Sequence, residues 1–224
     1  MGLCDASPFV IKVETYLRLA GIGYDKVNRP QAVRSAPKGK LPVMHHGTTT
    51  VADSSDIVAY VNQHFAVDLD AHLTPEQRAN ALVLQRSVEE YWYWIGVYMR
   101  WVPEATWPEV RASLFARMPA PMRALLPALV RRSMKAQLHA QGLGRHREAE
   151  ILAQGELFLN ALSTALGARR YWFGDQPTSI DATLYGFLSV LILGDLDTRL
   201  RRSAMRCDNL VAYVGRLHAT CFQR

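Results

Sequence analysis

Ser7 is followed by proline and then by Val10, Val13, Leu17 and Ala20 at helical spacing, so its hydroxyl stands at a helix N-terminus. The partial positive charge there favours an anion, and the same residue also reads as a plain N-cap. Cys4, three residues earlier, offers a rival reading: a cysteine near this helix start that forms mixed disulfides. Asp53-Ser54 opens a second helix. The serine hydroxyl and the helix N–H groups suit a carboxylate and the Asp suits an ammonium, while simple capping accounts for both residues as well. Lys40-Leu41-Pro42 precedes a strand-like run; Lys40 fits a carboxylate or a solvated loop. Tyr91, Trp94, Tyr98 and Trp101 recur at spacings of three and four, one aromatic stripe that suits either a core or an apolar pocket, whereas Trp92 and Met99 fall on another face and read as core. Thr178-x-x-Asp181 reads as a capping box. His45-His46 point to opposite faces of a strand, and no histidine or cysteine pair has metal-ligand spacing, so no metal is expected.

These residues need elements to hold them. The pattern predicts a helix from Ser7 to Gly21 and a strand over Ile22–Val27. A hairpin comes next, from Leu41-Pro42-Val43 through His46-Gly47 to Val51, and then a helix from Asp53. From Leu73 the strand signals stop. Thr74-Pro75-Glu76 opens a long helical stretch reaching Trp101. Prolines at 103, 108, 119, 121 and 127 punctuate the segment after Trp101, and helical pattern returns over 148–166, 180–193 and 209–222. The expected division is an α/β unit over residues 1–68 and an all-helical unit over 74–224.

Composition narrows the function classes. Of 224 residues, 49% are hydrophobic and 21% charged, which argues for a globular chain rather than a disordered one. Three scattered cysteines fit a reducing cytoplasm better than a disulfide scaffold. No apolar run is long enough for a membrane span, and no signal peptide is visible. Net charge is +6, but eight of the 26 basic residues lie between Arg111 and Arg147, a segment with no Asp or Glu, and the rest of the chain is slightly acidic. That is one basic segment, not a nucleic-acid footprint. Within it Leu125, Leu126, Leu129, Val130, Met134 and Leu138 form an apolar stripe. It reads as a core-facing helix with a solvated basic face, in preference to a helix lying on an anionic membrane.

Three motifs in order resemble the glutathione transferase superfamily: Ser7-Pro8-Phe9-Val10-Ile11-Lys12-Val13, Lys38-Gly39-Lys40-Leu41-Pro42-Val43 with Asp53-Ser54, and Phe173-Gly174-Asp175-Gln176-Pro177-Thr178-Ser179-Ile180-Asp181-Ala182. Glu14 to Gly21, Ala36 to Pro42 and Gly142 to His146 look like its failed-axon-connections and metaxin-like branch. The resemblance covers residues 4–67 and 140–224 well and 102–140 poorly. It implies a thioredoxin-like domain joined to an all-α domain, with glutathione as co-substrate and no metal. Ser7 matches the residue that activates the glutathione thiol. Leu41 matches the residue before a cis proline, Pro42, whose backbone pairs with the ligand. Asp53 and Ser54 match the γ-glutamyl site, and Lys40 is placed near the glycyl carboxylate. The aromatic stripe is placed at the pocket for a small hydrophobic electrophile.

The function expected on this ground is conjugation or transfer of glutathione to such an electrophile, in the cytoplasm, as part of detoxification. A homodimer is consistent with the family, nucleic acid is not a partner, and membrane association is not expected. The alternative is a non-catalytic interaction module of the metaxin-like type; a peripheral membrane adaptor using the basic segment is a third reading. The family's domain begins with a strand, and Met1–Ala6 cannot supply a strand of about 5–6 residues plus its loop. The expectation is therefore that the first strand is missing and that the true start lies upstream.

Overall fold

A computed structural model describes residues 5–28, 35–116 and 118–223. Helix α1 (Pro8–Leu19) begins as the sequence predicts, with Ser7 as N-cap and Pro8 in the first turn, and ends before Gly21 at φ 70°. Strands β1 (Val43–His46) and β2 (Thr49–Ala52) form an antiparallel hairpin, with Gly47 at φ 57° in the turn. Helix α2 (Ser54–Phe65) follows at once. Residues 66–74 contain no helix or strand.

The expected strand Ile22–Val27 does not form. Among the described residues the sheet has two strands, so this segment has no ladder to join. Its side chains hold it instead. The Tyr24 hydroxyl donates to Glu14 at 2.9 Å, Lys26 pairs with Glu14 at 2.8 Å, and Arg18 donates to the Tyr24 hydroxyl at 2.9 Å. Alternation signals an extended chain, but a strand also needs a partner.

The remainder is helical. Helix α3 (Pro75–Arg86) starts from a Thr74–Gln77 capping box and runs through a π-helical turn (Ser87–Trp92) into α4 (Tyr93–Trp101). Helix α5 (Trp107–Phe115) and the long α6 (Ala120–Gln141) follow, with Pro127 inside α6. A short 3₁₀ turn (Leu143–Arg145) leads to α7 (Glu148–Leu166), then α8 (Ser179–Ile192), α9 (Arg199–Ala204) and α10 (Asp208–Phe222). The short α9 starts from Thr198, whose hydroxyl accepts from Arg201 N at 3.0 Å.

Helix α1 serves two cores. Ile11 belongs to the large helical core, while Val13, Tyr16 and Leu17 pack with Ile57, Val61 and Ala182. Its main neighbour is α8, and the two backbones approach closely at Gly186, where an added Cβ would lie 2.6 Å from the Pro8 carbonyl oxygen. Helix α8 is anchored by the capping box: buried Asp181 accepts from Thr178 N and Oγ1, Trp172 N and the Tyr213 hydroxyl, all at 2.7–2.8 Å. Burial pushes the Asp181 carboxyl up, against the pull of those donors. Asp70, between α2 and α3, accepts from Ser179 N at 2.8 Å and from its hydroxyl at 2.5 Å, tying the connecting segment to α8.

The stripe on α6 does not face the core as a whole. Leu138 is buried and Leu126, Val130 and Met134 pack against the core, but Leu125 and Leu129 are exposed. The helix therefore carries two apolar faces, and α5 with α4 covers one of them.

Candidate functional site

Ser7 sits half-buried at the start of α1, in extended backbone. Its Oγ accepts from Val10 N at 3.5 Å, which leaves its own O–H free to donate. The loop before it is pinned from two sides. Ser7 N donates to Asp5 at 2.9 Å, and Asp5 pairs with Lys26 at 2.9 Å. Arg100 of α4 donates to the Ala6 carbonyl at 3.1 Å. Phe9, two residues further on, stacks edge-on against Tyr93 of α4 and Phe187 of α8. Cys4 lies outside the described residues.

The hairpin places Leu41-Pro42 across from Asp53-Ser54. Val43 is opposite Ala52 in the register, and the next rung is closed by Asp53 N donating to the Pro42 carbonyl at 3.4 Å. The Leu41–Pro42 bond is cis. Asp53 holds φ at 103°, a left-handed value that a non-glycine residue adopts only when its surroundings force it. Its carboxylate accepts from Ser55 N at 2.9 Å, which caps α2 and orders the first turn behind Ser54. Lys40 is exposed and makes no ion pair with a described residue; Lys38 instead reaches α2, pairing with Asp56 at 2.7 Å.

Ser54 meets α1 through a group that sequence reasoning missed. Lys12 is only 3% exposed. Its Nζ donates to Ser54 Oγ and Ser55 Oγ, each at 3.2 Å, and pairs with Glu89 of the π-helical turn at 2.6 Å. Gln85 donates to Ser55 Oγ at 3.0 Å and to Glu89 at 3.1 Å. Burial pushes the Lys12 ammonium down, and Glu89 opposes that shift. With Lys12 donating, the Ser54 lone pair is occupied and its hydroxyl proton is free for an acceptor. A small cavity of about 70 Å³ adjoins it, lined by Lys12, Ser55, Val58, Gln85, Ser179 and Thr183. Ser7 and Lys12 are five residues apart, about 7.5 Å along the axis of α1. One helix carries both, and Lys12 ties it to the first turn of α2.

The four residues of the aromatic stripe separate. Tyr91 lies in the π-helical turn, exposed, and donates to Gln154 at 3.0 Å. Tyr98 and Trp101 are core residues, and Trp101 packs against Trp107. Trp94 is half-buried and meets Tyr93 edge-on. Trp92 and Met99 are buried. Within 91–101 the ring that stacks on Phe9 of α1 is Tyr93, a position outside the stripe. The wide turn changes the helical phase before α4, so a constant period counted from Tyr91 does not carry through.

The glutathione S-transferase N-terminal domain family matches residues 8–106 and the glutathione S-transferase C-terminal domain family matches residues 155–217. The chain is 34% identical over 193 residues to an isoprene-epoxide glutathione S-transferase of Rhodococcus, covering 84% of this chain and 81% of that protein. It is 31% identical to Failed axon connections of Drosophila melanogaster, covering 98% of this chain and 55% of that longer protein. It is also 26% identical to human Metaxin-2, covering 95% and 81%. Among solved structures, a glutathione S-transferase of Ceriporiopsis subvermispora in complex with glutathione aligns at TM-score 0.64 and 18% identity over 96% of this chain and 91% of that one. With the cis Leu41–Pro42 hairpin, the capped α1 and the Thr178–Asp181 box in place, these matches make the chain a member of the glutathione S-transferase superfamily, on its metaxin-like side.

Proposed function

We propose that this protein binds glutathione along Leu41 and at Asp53-Ser54 and conjugates it, through its sulfur, to a small hydrophobic electrophile. The observation that carries this reading is the hairpin register, which puts Asp53 beside Pro42, together with the Lys12–Ser54 hydrogen bond, which ties α1, the helix that Ser7 caps, to the first turn of α2. In the proposed complex the γ-glutamyl carboxylate takes the free Ser54 proton and the α2 N–H groups, with Lys12 as a positive charge behind them. Asp53 takes the γ-glutamyl ammonium, and Lys40 is free to meet the glycyl carboxylate.

Sulfur chemistry then falls to Ser7. A thiol with pKa about 8.5 is mostly protonated at neutral pH, and a hydroxyl donor at a helix N-terminus favours the thiolate. The thiol proton leaves to solvent, the sulfur lone pair attacks an electrophilic carbon, and the C–S bond forms as the displaced group takes its bonding electrons. Phe9, Tyr93 and Trp94 offer the apolar wall nearest that sulfur, while Tyr98 and Trp101 hold α4 in the core. The name of the Rhodococcus relative makes an epoxide the first electrophile to try.

The test is conjugation of glutathione to an epoxide and to an aromatic halide, compared with Ser7→Ala. Turnover that falls about 10²-fold in the variant, with glutathione affinity kept, supports the reading. Equal turnover in both proteins contradicts it. The similarity to metaxins favours a second reading, a non-catalytic binding module, and glutathione binding without turnover on any electrophile is its signature.

A further inference from the structure

We propose that α6, with the cleft between it and α5, is a docking face for a membrane surface rich in anionic phospholipid. The outward face of α6 presents Met122, Leu125 and Leu129 at spacings of three and four, and the two leucines are 71% and 63% exposed. At 100° per residue these three fall within about 60° of one another, a ridge rather than a groove. Arg132 flanks the ridge directly, and Arg123 lies about 100° round from Met122, on the side of the cleft with α5; both are exposed.

Only part of the basic charge on this segment is spent internally. Arg131 turns back to cap α4, donating to the Trp101 and Val102 carbonyls and pairing with Glu104, and Lys135 shares that carboxylate. Arg111, Arg123 and Arg132 make no salt bridge with a described residue. Arg111 and Arg123 stand at the edges of a cleft of about 480 Å³ whose other walls are Pro108, Ala112 and Ala116. Two guanidinium groups over an apolar floor suit a phosphate with its acyl chains below.

The chemistry selects lipid over other occupants. A second copy related by a two-fold axis would set arginines against arginines. Nucleic acid would leave the aliphatic ridge facing phosphates, with no aromatic side chain to stack a base. An amphipathic helix flanked by arginine and lying in the interface buries such a ridge and pairs such charges together. No described helix is long and apolar enough to cross a membrane, so the contact is peripheral.

The test is flotation of the full chain with vesicles of phosphatidylcholine alone, and with about one-third phosphatidylserine added. The expected result is binding to the anionic vesicles only, weakened by high salt. Leu125→Ser with Leu129→Ser should lower binding at least about tenfold at unchanged Tm, since both side chains are exposed in the free protein. Arg123→Glu with Arg132→Glu should abolish it, because each basic group near such a surface is worth about fivefold. Three results would overturn the proposal: no binding to anionic vesicles, binding indifferent to the leucine pair, or a dimer in light scattering that the leucine variant dissolves.

Discussion

Lys12 is the residue whose behaviour distinguishes a formed site from a fold that merely contains the family's motifs. A buried ammonium is tolerated because Glu89 lies at 2.6 Å and two serine oxygens accept its other protons. Removing Glu89 leaves that charge unpaired, so Glu89→Gln should cost about 3–5 kcal/mol of stability, read from urea unfolding. Lys12→Met with Glu89→Leu should recover most of the loss, because the pair then leaves together. A single Glu89→Gln as stable as the parent would mean that the pair does not form. None of this is legible in the sequence, where Lys12 and Glu89 stand 77 residues apart and each reads as an ordinary helical surface residue. Ser7, Asp53 and Ser54 are legible because caps announce themselves locally, through Ser-Pro and Asp-Ser ahead of helical periodicity.

Among the elements, α1 is held by contacts that can each be broken alone. Gly186 lets α8 touch the α1 backbone at Pro8 and Lys12, and an alanine there must push one helix away. Gly186→Ala should destabilise by about 1–3 kcal/mol and lower conjugation as well, since Ser7 rides on the displaced helix. A variant with unchanged Tm would contradict that packing. Tyr16 on the same helix donates to Asn62 at 2.5 Å. Burial pushes its phenol up from 10.0 to about 12. The unfolded chain then loses the proton first, so the stability that Tyr16 supplies is intact below pH 10 and drains away as pH rises toward 12. Tyr16→Phe cannot ionise, and the stability of the parent relative to this variant should fall across that window in urea titrations at stepped pH. A constant difference would show that the phenol is not buried. Elements are legible in the sequence where caps and periodicity agree, as in α1, the hairpin, α3, α7 and the Thr178–Asp181 box. They are not legible where a distant partner decides. Ile22–Val27 alternates like a strand but has no ladder, and the π-helical turn at 87–92 shifts the aromatic stripe.

For the molecule as a whole, two regions divide the work. One end of α1, the hairpin and α2 form the proposed glutathione site, and α6 on the helical side forms the proposed membrane face. The eight basic residues from Arg111 to Arg147, four of them on α6, are plain in the sequence. The geometry of the helix is not, because periodicity does not say which apolar side chains the neighbouring helices will cover. The two proposals separate experimentally, since Leu125 and Leu129 lie on a helix that contributes no residue to the glutathione site. The central claim, a tripeptide held between Pro42 and Ser54, is tested most directly by calorimetric titration of the full chain with glutathione, beside Ser54→Ala. Saturable binding at one site per chain, weakened about tenfold or more by the loss of the Ser54 hydroxyl, is the predicted result. No heat of binding, or an affinity that Ser54→Ala leaves unchanged, would contradict the account.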